Sequence, residues 1–149
     1  MTHVNAAFSQ AQFRGRNDDG SQTSATWKAA VNTNWTQLVN AIFRVRLTIT
    51  ETAGGSTNNE SFTLQYNLAG GGWNTVTTST PIQFVASGTV ADETATTQQI
   101  SSGTFVAGTF QSNDTITNTT SFVGNDRMEM EYCLRIDSAQ VSNGQTVQL

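Results

Sequence analysis

The chain has 149 residues, a formal net charge of −4 at pH 7 and only 12% charged side chains, and this length fits one domain. Threonine, asparagine, serine and glutamine together supply 63 residues, a composition that favours many short strands joined by uncharged turns. No basic run is present to neutralise phosphates, and the acidic balance argues against an anionic membrane surface as a partner.

The N-terminal sequence MTHVNAAFSQAQF lacks both the basic start and the apolar stretch of a signal peptide, so we expect synthesis in a cytoplasm without secretion. We expect residues 1–12 to form a flexible arm and residues 13–149 to form a single β domain. Cys133 is the only cysteine and lies within a strand pattern. It is therefore expected to be a small buried hydrophobe rather than a reactive thiol.

Alternation of apolar and polar residues predicts strands along the first third of the chain. Weak strands are predicted at 12–16 and 24–29, with a turn at 17–20 whose Asn-Asp-Asp-Gly sequence is typical of turns. Residues 29–39 fit either a turn or two of helix or further alternation. The stretch 42–51 is a clearer strand, because its apolar residues alternate with arginines and threonines.

The middle of the chain contains a hairpin signal. Residues 61–68 alternate, and a run of three glycines precedes Trp73 and a threonine-rich stretch that reaches residue 80. Glycine reaches the positive φ values that tight turns require, so two strands are expected to meet there. Weaker strands are predicted at 82–86 and 103–111, and residues 87–102 are expected to form a long, mobile loop.

The last third contains the cleanest alternating strand, at 127–137, followed by a turn at 142–144 and a final strand at 145–149. The whole pattern predicts about eight strands at intervals of about a dozen residues, with little or no helix. The predicted fold class is all-β, with an antiparallel β-sandwich or jelly-roll-like arrangement.

No residue pattern indicates catalysis. His3 is the only histidine and lies in the predicted arm, so neither a Ser-His-Asp site nor a closed zinc site is expected. The paired carboxylates lie in a turn, in a threonine-rich loop and on one strand face, where capping or ion pairing is the usual role. We therefore expect no enzyme activity, and no catalytic, metal or cofactor-binding residue.

The charged strand faces allow two interpretations. The favoured one is a cross-strand ladder between arginines and glutamates on neighbouring strands. The alternative is contact with a partner or with another copy of the chain, because arginine and tryptophan are frequent interface anchors. Five aromatic residues could also line a sugar-binding groove, although packing in the core or at a subunit interface is more common; they are Trp27, Trp35, Tyr66, Trp73 and Tyr132. The candidate contact residues are Arg14, Arg16, Arg44, Arg46, Trp73, Glu129 and Glu131.

Several motifs together resemble a β-rich domain of phage virion proteins. These are Phe13 to Ser21 with Ala25-Thr26-Trp27, then Arg44-Val45-Arg46, then Tyr66 with the glycines before Trp73, and finally the strand Glu129 to Ile136. As a free domain the chain is similar to phage capsid decoration, or cement, proteins. The resemblance implies a structural protein on the capsid exterior, a homotrimer that binds the major capsid protein. The charge balance predicts no nucleic acid and no membrane partner. The alternative is a tail or fibre component, or a carbohydrate-binding module.

Overall fold

The computed structural model describes residues 4–116 and 119–149, and this part of the chain is all-β, as predicted, with ten strands and no helix. The strands are β1 (Phe8–Asn17), β2 (Ile42–Glu51), β3 (Thr57–Glu60), β4 (Gln65–Leu68), β5 (Trp73–Thr75), β6 (Ile82–Phe84), β7 (Phe105–Gln111), β8 (Thr120–Phe122), β9 (Arg127–Ile136) and β10 (Val147–Gln148).

The largest sheet has the order β1-β2-β9-β6, and its neighbours along this path are antiparallel. Strand β7 also pairs with β9, but in parallel, along the edge that β9 shares with β6. The parallel pair departs from the predicted antiparallel arrangement. Between β7 and β9 the chain contributes β8 to another sheet, and a connection outside the sheet is what parallel pairing requires.

Two smaller sheets, β10-β4-β5 and β3-β8, complete the fold. The predicted glycine hairpin is confirmed, because β4 and β5 pair from Gln65 with Thr75 to Asn67 with Trp73. Its turn places Gly70 and Gly72 at φ values of 80° and 96°. Those left-handed conformations favour glycine, which has no Cβ to clash with the backbone.

The core lies on one face of the largest sheet. Alternate residues of β2 and β9, such as Val45, Leu47 and Tyr132, are buried there together with Leu64 and Phe122 from the region of the smaller sheets. Burying each large apolar side chain stabilises the fold by roughly 1.5–3 kcal/mol. The sheets thus surround one core, while the specific sandwich or jelly-roll connectivity stays a prediction.

Three local predictions were wrong. Residues 8–12 belong to β1 and pair with β2, so they are not part of an arm; residues 1–3 lie outside the described part of the chain. The segment 24–29 makes only one bridge, between Trp27 and Arg16. Residues 29–39 form neither helix nor strand. The sequence pattern also gave no indication of β3 and β8.

Candidate functional site

The second face of the largest sheet carries charged side chains. Strand register places Arg14 beside Arg46 and Arg16 beside Arg44 across β1 and β2. The register of β2 and β9 places Arg46 opposite Glu131. Because directly opposed residues on paired strands point to the same side of a sheet, these side chains form one polar layer.

Glu131 is the centre of this layer. Its Oε1 accepts a hydrogen bond from Arg44 Nη1 at 3.0 Å, and its Oε2 accepts one from Arg46 Nε at 2.6 Å. Arg16 Nη1 lies 3.4 Å from the same Oε2. All four side chains are at most 1% exposed. One carboxylate therefore contacts three guanidinium groups without access to solvent.

Glu129 anchors a loop to the same layer. Arg46 Nη1 donates to its Oε2 at 2.8 Å, and the backbone N–H groups of Gln99, Ile100 and Ser101 donate to its carboxylate at 2.7 to 3.0 Å. Burial alone raises the pKa of Glu129, but the hydrogen bonds from Arg46, Ser101 and Ile100 outweigh it and the pKa is lowered. Glu129 is thus held as a carboxylate.

Two chain segments, 17–29 and 87–102, cover the charged layer, and we call them the cover segments. Arg44 Nη2 donates to the carbonyl of Gly20 at 2.6 Å, and Arg16 donates twice to the carbonyl of Ala25. Gln22 joins the two segments, since its Oε1 accepts from Arg46 and its Nε2 donates to the carbonyl of Ala95. Buried charges are tolerated only when hydrogen-bonded in this way.

Asp18 ties the cover segments together at a second point. Its carboxylate accepts from the hydroxyl of Ser87 at 2.5 Å and from the N–H of Gly88 at 3.0 Å, and it lies 3.2 Å from Arg44 Nε. Residues 87–102 contain no strand, as predicted for a loop, but they are fastened to the sheet through Asp18 and Glu129.

Trp27 packs against the charged layer beside β1. The guanidinium carbons of Arg14 and Arg16 lie 4.3 Å and 4.2 Å from the centre of its ring. Cation–π contacts of this kind stabilise by about 0.5–2 kcal/mol, with the larger values in desolvated sites. Burial lowers the pKa of Arg16 and is opposed by the charge of Glu131.

The structure corrects the contact role of five candidate residues. Their side chains are no more than 1% exposed, so within this chain they form the internal ladder and present no surface to a partner. Arg14 is half-buried, and Trp73 is 55% exposed. The structure shows the favoured interpretation, a cross-strand ladder of arginines and glutamates. Alternation alone does not reveal that the cover segments lie over this ladder. The five corrected residues are Arg16, Arg44, Arg46, Glu129 and Glu131.

Trp73 borders an open groove beside the core, with a volume of about 400 Å³. Tyr132, another of the predicted sugar-lining aromatics, also lines the groove but is buried. The remaining three are used elsewhere. Trp35 packs so close to Gly15 that a Cβ there would lie 2.7 Å from its ring, Trp27 stacks on the arginines, and Tyr66 is buried. The groove is lined by Phe8, Ser9, Gln10, Leu47, Ile49, Phe62, Thr63, Leu64, Gln65, Trp73, Tyr132 and Leu149.

Cys133 lies on the charged face of β9 opposite Arg44 and is completely buried, which confirms its predicted placement. Burial, followed by the nearby charge of Asp18, raises the pKa of its thiol to about 12. A thiol with that pKa is almost entirely protonated near neutral pH and is a poor nucleophile.

Within residues 4–116 and 119–149, no three His, Cys, Asp or Glu side chains are grouped so that they could hold a metal ion. The same residues include no helix with the length and apolar character needed to cross a membrane.

Nothing matches this chain among protein-family models, curated proteins or solved structures. Function has to be inferred from the residues and their geometry.

Proposed function

We propose that this chain is a structural virion protein without enzyme activity, which decorates the outside of a phage head and stabilises the shell. Its partner would be the major capsid protein, and it would be made in the host cytoplasm. The motifs that resemble phage virion domains motivate the choice of assembly. The use that the fold makes of its charged residues supports the structural role.

The observation that carries the proposal is the buried charged layer. Seven of the 18 charged side chains are buried, although such residues are rarely buried completely in folded proteins. Arg16, Arg44 and Arg46 are occupied by Glu129, Glu131 and backbone carbonyls. The buried charged residues of this chain thus fix the conformation of the cover segments, as expected of a domain with a structural role.

The arrangement of the acids supports a role without chemistry. A general acid or base needs a carboxyl group that reaches substrate and exchanges a proton near the working pH. Glu129 and Glu131 are buried, and both are occupied by arginines of the same layer. The lowered pKa of Glu129 also keeps it ionised, so it would not act as an acid near neutral pH.

The surface supports docking by short-range contacts. Among residues 4–116 and 119–149, the charged side chains that are well exposed are three acids, Asp19, Glu93 and Asp114, and the others are half-buried or buried. Long-range electrostatic steering by so few exposed charges would be weak, and binding would depend little on salt. A protein that binds only the mature shell would stabilise that state by mass action, and a trimer would add avidity.

The test is the location and copy number of the chain in virus particles produced from the genome that encodes it. Quantitative mass spectrometry of purified particles, with immunogold labelling, should find the chain on the head in numbers comparable to the shell subunits. Stripping it from the heads and adding it back should lower and then restore their resistance to heat. Particles that lack the chain, or hold only a few copies at the tail, would contradict the proposal.

The trimer is tested separately by light scattering of the purified chain over a range of concentrations. A mass three times that of the 16.0 kDa chain is expected. A monomer at the highest concentration would remove the trimer from the proposal but would leave the head location open to the particle experiment.

A further inference from the structure

We propose that the groove beside Trp73 binds a neutral saccharide, an activity that goes beyond shell decoration and does not depend on it. The Trp73 groove is defined by the twelve residues that line it. Its volume of about 400 Å³ lies within the range of about 300–1,000 Å³ found for small-ligand sites.

The lining has the chemistry that an uncharged sugar requires. None of the twelve lining side chains is charged, although charged residues lie elsewhere on β1, β2 and β9. Saccharides combine apolar C–H faces with many hydroxyl groups, and an aromatic ring beside amides and hydroxyls satisfies both parts. A phosphate or carboxylate ligand would find no cation here. The polar lining residues are all exposed, and they are Ser9, Gln10, Thr63 and Gln65.

Trp73 has the position of a stacking platform. Its side chain is 55% exposed at the start of β5, directly after the glycine turn. The backbone is held by its pairing with Asn67, so the ring is carried on a hairpin strand rather than on a free loop. A ring held on a rigid element loses little conformational entropy when a sugar stacks on it.

Core side chains in the lining of the Trp73 groove limit how deeply a ligand could enter it. Leu47, Ile49 and Tyr132 line the groove but are each at most 8% exposed, and they belong to the core. A sugar would therefore lie across the mouth, with one face against apolar atoms and its hydroxyl groups towards Gln10 and Gln65. A sugar at the mouth would make few contacts with the groove, so we expect each groove to bind it weakly. Several copies of the chain that bind one polysaccharide together would increase the overall affinity.

The test uses the full chain and neutral tetra- to hexasaccharides of the cello-, malto- and chito- series. Binding is followed by isothermal titration calorimetry and by tryptophan fluorescence. At least one series should bind, Trp73→Ala should weaken that binding at least about tenfold, and Trp73→Phe should retain part of it. Gln65→Ala should weaken binding by a smaller factor. The matched control is Leu38→Ala, which alters a side chain that is 74% exposed and does not line the groove.

Several results would overturn the proposal. They are no binding in any neutral series, equal binding by the folded Trp73→Ala and unaltered chains, or binding only to sulfated or sialylated oligosaccharides. Tryptophan fluorescence could instead change with protein concentration in the absence of sugar, in the unaltered chain but not in Trp73→Ala. If that fluorescence were then insensitive to sugar, the groove would be assigned to a second copy of the chain. Thermal unfolding of each variant identifies any loss that is due to misfolding.

Discussion

Arg46 and Glu131 lie directly opposite each other on β2 and β9, and both side chains are completely buried. Arg46 also binds Glu129, while Glu131 also binds Arg44 and Arg16. The pair therefore connects the two acids of β9 to three arginines on two other strands. It also holds Gln22 and the carbonyl of Thr97, one from each cover segment.

Loss of one charge from this layer should cost far more than loss of a surface charge. Glu131→Gln would replace the carboxylate that three buried guanidinium groups share with a neutral amide. We expect it to lower the free energy of unfolding by about 3–5 kcal/mol. Urea denaturation measures the change. Asp114→Asn, at an exposed acid, is the control and should shift the free energy of unfolding by less than about 0.5 kcal/mol.

A double-mutant cycle distinguishes coupling within the layer from independent effects. Arg44→Met and Glu131→Gln are expected to be non-additive, because each removes the partner of the other. Additive effects would mean that Arg44 and Glu131 contribute separately, and that the ladder is not a cooperative unit.

The sequence predicted the strands that define the largest sheet, because β2 and β9 alternate strictly and one face of each is apolar. It also predicted the hairpin before Trp73 from its glycines. The charged face was harder to interpret. Alternation shows that Arg44 and Arg46 share a face of one strand, and that Glu129 and Glu131 share a face of another. It cannot show that the two strands are paired or that loops far away in sequence cover the charged face.

The wrong strand at 24–29 has the same physical origin. The segment bonds the backbone of β1 at Thr26 and Lys28. Its carbonyl groups at Ala25 and Ala29, however, accept hydrogen bonds from the side chains of Arg16 and Arg14. Side chains thus satisfy backbone groups that local propensity assigns to a sheet.

The Trp73 groove could be predicted only in part. The sequence shows a tryptophan directly after a glycine turn, but it does not show which residues form the walls of the groove.

Glu51 should make the fold sensitive to acid. Its carboxylate accepts hydrogen bonds from several backbone N–H groups, and these hold its pKa at about 2, with that of Asn125 contributing most. The other donors lie before β1 and in the loop after β2, namely Ala7, Ala53, Gly54 and Gly55. Glu51 therefore connects three loop regions at one end of the sheet.

The sign of the pH effect follows from the lowered pKa of Glu51. The unfolded chain binds a proton near pH 4.5 and the folded chain only near pH 2, so this contribution to stability is complete above about pH 5 and is lost as the pH falls through that interval. Chemical denaturation from pH 7 to pH 2 should show a smaller loss of stability for Glu51→Gln than for the unaltered chain. Parallel curves would show that the carboxylate of Glu51 does not titrate differently in the two states.

Cys133 should be inert in the folded protein. With its pKa raised to about 12 and its side chain fully buried, the thiol should not react with a disulfide reagent such as DTNB at pH 8. It should react fully in concentrated urea. Ser121→Cys supplies an exposed thiol as a positive control, and rapid labelling of Cys133 in the native state would contradict its placement.

Gly15 should be intolerant of any side chain. A Cβ at this position would lie 2.7 Å from three ring atoms of Trp35, which is closer than packed carbon atoms approach. Trp35 in turn packs edge-on against Phe43 of the core, at 6.3 Å between ring centres, so its ring cannot move freely. Gly15→Ala is expected to lower the free energy of unfolding by about 1–3 kcal/mol, the usual cost of overpacking, and urea denaturation measures the change.

Gly88→Ala is the matched control, because a Cβ at residue 88 would have no neighbour within 4 Å. This variant should leave the urea midpoint of unfolding nearly unchanged. Equal midpoints for the two variants would mean that Trp35 does not lie over Gly15 in solution.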